Sequence, residues 1–119
     1  MKILLIGRGK MGRLIQETAA AAGDEVVAAL GRNGLDSLGR MGRTADVVMD
    51  FSRPEALPEI CAYVRRTGTP LLSGPTGFTP ADRERLEALG EAAPVLWAAN
   101  FSLGMAVFVR ALREVCGVL

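Results

Sequence analysis

Short apolar runs alternate along this chain with stretches whose apolar residues recur every three or four positions. Lys2 to Ile6 is a brief apolar run ended by glycine, which predicts a strand buried on both faces of a parallel sheet. Met11, Leu14, Ile15, Thr18, Ala19 and Ala22 then follow helical spacing, with Gly23 placed to cap the helix end. Glu25 to Leu30 and Val47 to Asp50 predict a second and a third strand. The glycine-rich stretch between them, Gly31 to Gly42, reads as a loop or a poorly formed helix.

Leu57, Ile60, Cys61 and Val64 mark a second amphipathic helix. Its start is either a Ser52-x-x-Glu55 capping box or a first turn containing Pro58. A proline deep in a helix costs about 3 kcal/mol, which favours a break near Pro58. Pro70 to Gly74 predicts a fourth strand, Thr79-Pro80 opens a charged helix running to about Ala92, and Val95 to Ala98 predicts a fifth strand. Met105, Phe108, Val109, Leu112, Val115, Cys116 and Leu119 form the apolar stripe of a last helix. Alternation of this kind implies right-handed crossovers and a Rossmann-like, doubly wound parallel sheet in three α/β/α layers. Neither an internal repeat nor a low-complexity linker interrupts it, so residues 1–119 read as one domain.

A chain of 119 residues, half of them hydrophobic and 23% charged, has the composition of an ordered globular domain with one core. With 14 basic and 13 acidic groups there is no field to hold nucleic acid or an anionic membrane nonspecifically. The opening MKILLIG meets glycine too soon for a secretory signal, and no run approaches the roughly 20 apolar residues of a spanning helix. A cytoplasmic protein is expected. Cys61 and Cys116 lack metal-ligand spacing and sit among apolar residues, so buried free thiols are expected and no metal site. Histidine is absent, which removes the commonest general acid–base side chain.

Gly7-Arg8-Gly9-Lys10-Met11-Gly12 matches G-x-G-x-x-G. Glycine serves a separate purpose at each place: Gly7 permits the tight turn, Gly9 lets the backbone approach a pyrophosphate, and Gly12 lets helix pack on strand. Glycines punctuate turns of many kinds, so the motif gains its weight from context. It follows the first strand, opens an amphipathic helix and precedes a second strand, and the helix N-terminus would then face the anion. NAD-binding folds usually carry an acid at the end of that second strand. Gly31 stands there instead, followed by Arg32, which is either a solvated surface residue or a partner for the 2′-phosphate of NADP.

Three further segments narrow the picture: Asp50-Phe51-Ser52-Arg53-Pro54-Glu55, Gly74-Pro75-Thr76-Gly77-Phe78 and Ala99-Asn100-Phe101-Ser102-Leu103-Gly104. In order and spacing they resemble the D-F-[ST]-x-P, G-T-T-G and A-N-[FM]-S-x-G signatures of 4-hydroxy-tetrahydrodipicolinate reductases, and Gly12-Arg13 also fits. Each lies at the carboxyl end of a predicted strand, where open α/β sheets bind ligands.

The resemblance implies an NAD(P)H-dependent oxidoreductase of lysine and diaminopimelate biosynthesis, with NADPH as cofactor and NADH possible. Gly7, Arg8, Gly9, Lys10, Met11 and Gly12 would hold the pyrophosphate and Arg32 would face the adenosine ribose. Gly74, Pro75 and Thr76, with Ala98, Ala99, Asn100 and Phe101, would line the nicotinamide side. The glycine loop is one residue shorter than in many members, Gly31 replaces the acid of NAD-using relatives, and Pro75 replaces a threonine, losing a hydroxyl and an N–H.

Members of this family continue into a second domain that binds the dicarboxylate substrate, carries a His pair and a Lys for proton transfer and builds a homotetramer. The expectation is that this chain stops before that domain and has no catalytic residue of its own. It would then bind cofactor without turnover. A stand-alone, non-catalytic NADP(H)-binding module is the alternative, and another small Rossmann oxidoreductase is a third reading that the Asn100 to Gly104 segment disfavours.

Overall fold

The computed structural model describes residues 1–97. The predicted last helix, the Ala98 to Phe101 segment and Cys116 lie outside the described residues. Five strands, β1 (Lys2–Ile6), β2 (Glu25–Leu30), β3 (Val47–Asp50), β4 (Leu71–Ser73) and β5 (Val95–Trp97), form one sheet in the order β2-β1-β3-β4-β5. Every pairing is parallel. Helices α1 (Lys10–Ala21), α2 (Leu57–Thr67) and α3 (Pro80–Leu89) make the crossovers, with a 3₁₀ segment, Arg32–Arg40, between β2 and β3.

The period-two alternation of the strands sorts the core onto two faces. Ile3, Leu5, Val47, Met49 and Leu72 pack with Ile15 and Ala19 of α1. Leu4, Ile6, Val48 and Leu71 pack on the other face with Leu57, Ile60 and Val64 of α2 and Leu86 and Leu89 of α3. Helices cover both faces, as the alternation predicted. Residues of β1 and β3 at these positions are almost wholly buried, whereas β2 at the sheet edge is only half-covered.

The stretch from Gly31 to Gly42 adopts the second of its two expected forms, a nine-residue 3₁₀ helix. It lies against α2: Leu38 is buried in the α2 core, and Arg66 donates to the Leu38 carbonyl at 2.6 Å. The start of α2 resolves in favour of Pro58. A 3₁₀ turn, Pro54–Ala56, precedes the helix, and Pro58 falls in its first turn, where its missing N–H has no intrahelical partner to lose. Ser52 makes no capping box because its hydroxyl is spent on the Asp50 carboxylate.

Helix α3 ends at Leu89, short of Ala92, because Gly90, Glu91 and Ala92 donate to the carbonyls of Glu87, Ala88 and Leu89 in a tightening turn. Its start is fixed by a reciprocal box: the Asp82 N–H donates to Thr79 Oγ1 at 3.1 Å, and the Thr79 N–H donates to Asp82 Oδ2 at 3.0 Å.

Candidate cofactor site

The strand order reverses direction at β1. The chain runs from β1 outward to β2, then returns past β1 to β3, so the connections leave the carboxyl ends of β1 and β3 on opposite faces of the sheet. A crevice opens at such a switch point. A cleft of about 540 Å³ lies there, lined by Gly7, Arg8 and Gly9 from the glycine turn and by Leu30, Gly31, Arg32 and Leu35 from the end of β2. Phe51, Ser52, Arg53, Glu55 and Ala56, which follow β3, close its other side. That volume lies within the usual range for small-molecule and cofactor sites.

The three glycines differ sharply in what surrounds them. Gly7 has φ +114°, a backbone angle that side-chain-bearing residues rarely adopt, and a Cβ there would stand 2.7 Å from the Phe51 carbonyl oxygen. Gly12 is buried in the first turn of α1, and a Cβ on it would lie 2.4 Å from the Gly7 carbonyl oxygen. Among the described residues, Gly9 has nothing within 4 Å of the place a Cβ would take. Two glycines therefore bring backbone onto backbone, while Gly9 leaves an open surface facing the cleft.

Helix α1 begins at that open surface. Its first intrahelical bond runs from the Arg13 N–H to the Gly9 carbonyl at 3.1 Å, so the amides of the preceding residues have no acceptor within the helix. Among the described residues no side chain caps this end, and the first turn holds no acidic residue. An anion is the partner that such an end favours.

Not every expected site residue meets at the cleft. Gly7, Arg8, Gly9 and Arg32 line it together. Lys10, Met11 and Gly12 form the first turn of α1 behind it, with Lys10 exposed and Met11 half-buried. Gly74, Pro75 and Thr76 follow β4, one strand beyond β3, and are not among the lining residues. Gly74 is half-buried and tied to β3 by its N–H on the Asp50 carbonyl at 2.8 Å, Pro75 is buried, and Thr76 is exposed. Ala98, Ala99, Asn100 and Phe101 lie outside the described residues.

Phe51, Ser52, Arg53 and Glu55 also line the cleft, a contact that their signature alone does not imply. The signal was available in the order of elements, because a strand returning past β1 must end beside the glycine turn. Asp50 anchors this wall. It is fully buried, and its Oδ1 accepts from both the N–H and the hydroxyl of Ser52, while Oδ2 accepts from the Ser73 hydroxyl at 3.3 Å. Burial pushes the Asp50 carboxyl above its ordinary 3.8, against the bonds from Ser52 and Ser73 that pull it down. One carboxyl thus fixes the ends of β3 and β4 together.

Among the described residues, Arg8, Arg32 and Arg53 give the cleft three guanidiniums against the single carboxylate of Glu55. Among the described residues, no salt bridge engages any of the three. The charge is available to a ligand.

A parallel sheet with an open glycine turn at its switch point defines a Rossmann-like α/β domain. The family described as dihydrodipicolinate reductase, N-terminus, matches residues 1–101, and the chain belongs to it. Relatives named 4-hydroxy-tetrahydrodipicolinate reductase agree. The one from an Exiguobacterium species is 33% identical over 96% of this chain and 47% of its own length. That from Bdellovibrio bacteriovorus is 38% identical over 95% and 51%, and that from Alkaliphilus metalliredigens 37% identical over 100% and 50%. The chain spans about half the length of the curated relatives it matches.

Proposed function

We propose that this chain is the part of a 4-hydroxy-tetrahydrodipicolinate reductase that holds the reduced nicotinamide dinucleotide, and that the dinucleotide is NADPH. The observation that carries the reading is Gly9: it is open where its flanking glycines are closed, at the uncapped start of α1 and on the wall of the cleft. A pyrophosphate needs that combination of backbone access and unpaired amides.

On this reading the glycine turn and the first amides of α1 hold the pyrophosphate, and Arg32 meets the adenosine ribose. The segment after β4 extends the site toward the nicotinamide. NADPH supplies the hydride when bound; the residues here bind and orient it. Reduction of 4-hydroxy-tetrahydrodipicolinate is assigned to the whole protein, with the dicarboxylate substrate, the proton donor and the tetramer contacts supplied outside these residues.

The choice of NADPH rests on the end of β2. An acid there would repel a 2′-phosphate, and Gly31 removes it while Arg32 offers forked donors. Dissociation constants for NADPH and NADH at about 0.1 M salt, measured for the parent and for Arg32→Ala, test this. NADPH should bind more tightly to the parent, and the ratio should narrow in the variant. Equal or tighter NADH binding by the parent overturns the assignment.

A further inference from the structure

The space a side chain would occupy at Gly31 is already taken. An ideal Cβ on Gly31 would stand 2.9 Å from Cδ and 3.4 Å from Cγ of Arg8. The aliphatic stem of Arg8 therefore reaches from the glycine turn across the end of β2, the strand that Arg32 follows. Among the described residues, no other atom lies within 4 Å of that Cβ position outside the neighbouring residues. Gly31 itself has φ −91°, an angle any residue adopts, so glycine is not required there by the backbone.

We infer that Gly31 acts through Arg8: by leaving room for the Arg8 stem, it seats a second guanidinium beside Arg32 for the 2′-phosphate of the adenosine ribose. The inference rests on the reading that NADPH occupies this cleft. It assigns Gly31 a different part from the mere absence of an acid. Any side chain at position 31, charged or not, displaces Arg8, so an uncharged alanine there should weaken recognition of the phosphate. Arg8 is a specificity-determining residue on this account, and Gly31 is the position that seats it.

The two explanations separate on Gly31→Ala, which adds one methyl and no charge. Dissociation constants for NADPH and NADH are measured by titration for the parent chain, Gly31→Ala, Arg8→Ala and the double variant. Gly31→Ala and Arg8→Ala should each weaken NADPH binding by about threefold to tenfold, the lower range for an exposed charged partner, and change NADH binding by less than about twofold. The double variant should match either single one, because both remove the same contact. Melting curves of all four should coincide closely, since the methyl meets only a movable side chain.

An unchanged NADPH-to-NADH ratio in Gly31→Ala overturns the inference. So do losses that add in the double variant. If the parent binds neither cofactor, the cofactor assignment itself falls and takes the inference with it, a result distinct from binding with an unaltered ratio.

Discussion

The carbonyl oxygen of Gly7 and the α-carbon of Gly12 approach so closely that a Cβ on Gly12 would stand 2.4 Å from that oxygen. This contact seats the start of α1 against the end of β1, and so fixes where the glycine turn presents its amides. Both partners are backbone, so neither can swing aside.

Gly12→Ala should therefore destabilise the fold by about 1 to 3 kcal/mol, the usual range for forcing an added methyl into a filled space. A denaturant midpoint well below that of the parent is the expected result. Equal midpoints would show that α1 can shift away from β1 without cost.

Gly9→Val should behave in the opposite way. With nothing within 4 Å, the fold accepts the side chain and the melting temperature should stay within about 2 °C of the parent, the scale of a surface change. Binding of NADPH should be lost. Retained affinity would make the turn purely structural.

Asp50 gives a pH dependence with a definite sign. A carboxyl held above its ordinary 3.8 binds its proton more tightly in the folded state. Its contribution to stability is complete below that value and is lost as pH rises through the higher folded value. Asp50→Asn keeps an acceptor for Ser52 and removes the titration. The melting temperature of the parent, measured relative to the variant, should fall as pH rises from about 4 toward neutrality. A parent that instead loses ground to the variant on acidification would contradict the burial argument.

The Thr79–Asp82 box should be worth about 1 kcal/mol to α3, the typical value of an N-cap. Thr79→Ala should lower the denaturant midpoint accordingly, and Thr79→Ser should restore most of it. A loss in both variants would point to packing of the threonine methyl instead.

Much of this architecture was legible in the chain itself. The first three strands run between the residues that the apolar runs predict, because apolar content, glycine and acid all change at the same boundaries. The helix over Met11 to Ala22 was equally plain, since its spacing and its terminal glycine agree. The stretch after Gly31 was not, because its form depends on packing against α2 through Leu38 and Arg66, contacts distant in sequence. The end of α3 was overrun because alanines at 92 and 93 suit a helix, whereas the chain must turn there to enter β5.

Within the site, residue types could be read but not their meeting. The order of strands places the glycine turn beside the residues after β3, yet it is the folded chain that brings Arg8 across Gly31 and lets Asp50 hold Ser52 and Ser73 together. Side-chain direction in a short turn is set by neighbours from three strands, and no local spacing encodes it.

Trp97, the chain's single tryptophan, offers the most direct test of the central claim that this domain holds a reduced nicotinamide dinucleotide. It ends β5, half-buried between the Phe78 ring, 5.8 Å away, and the Arg83 guanidinium, 5.4 Å away. Exciting Trp97 while titrating NADPH into the purified chain reads energy transfer to the bound nicotinamide. The expected result is sensitised nicotinamide emission that saturates at one equivalent bound. An absence of saturable transfer up to about 1 mM cofactor, the upper end of ordinary enzyme affinities, would contradict the assignment.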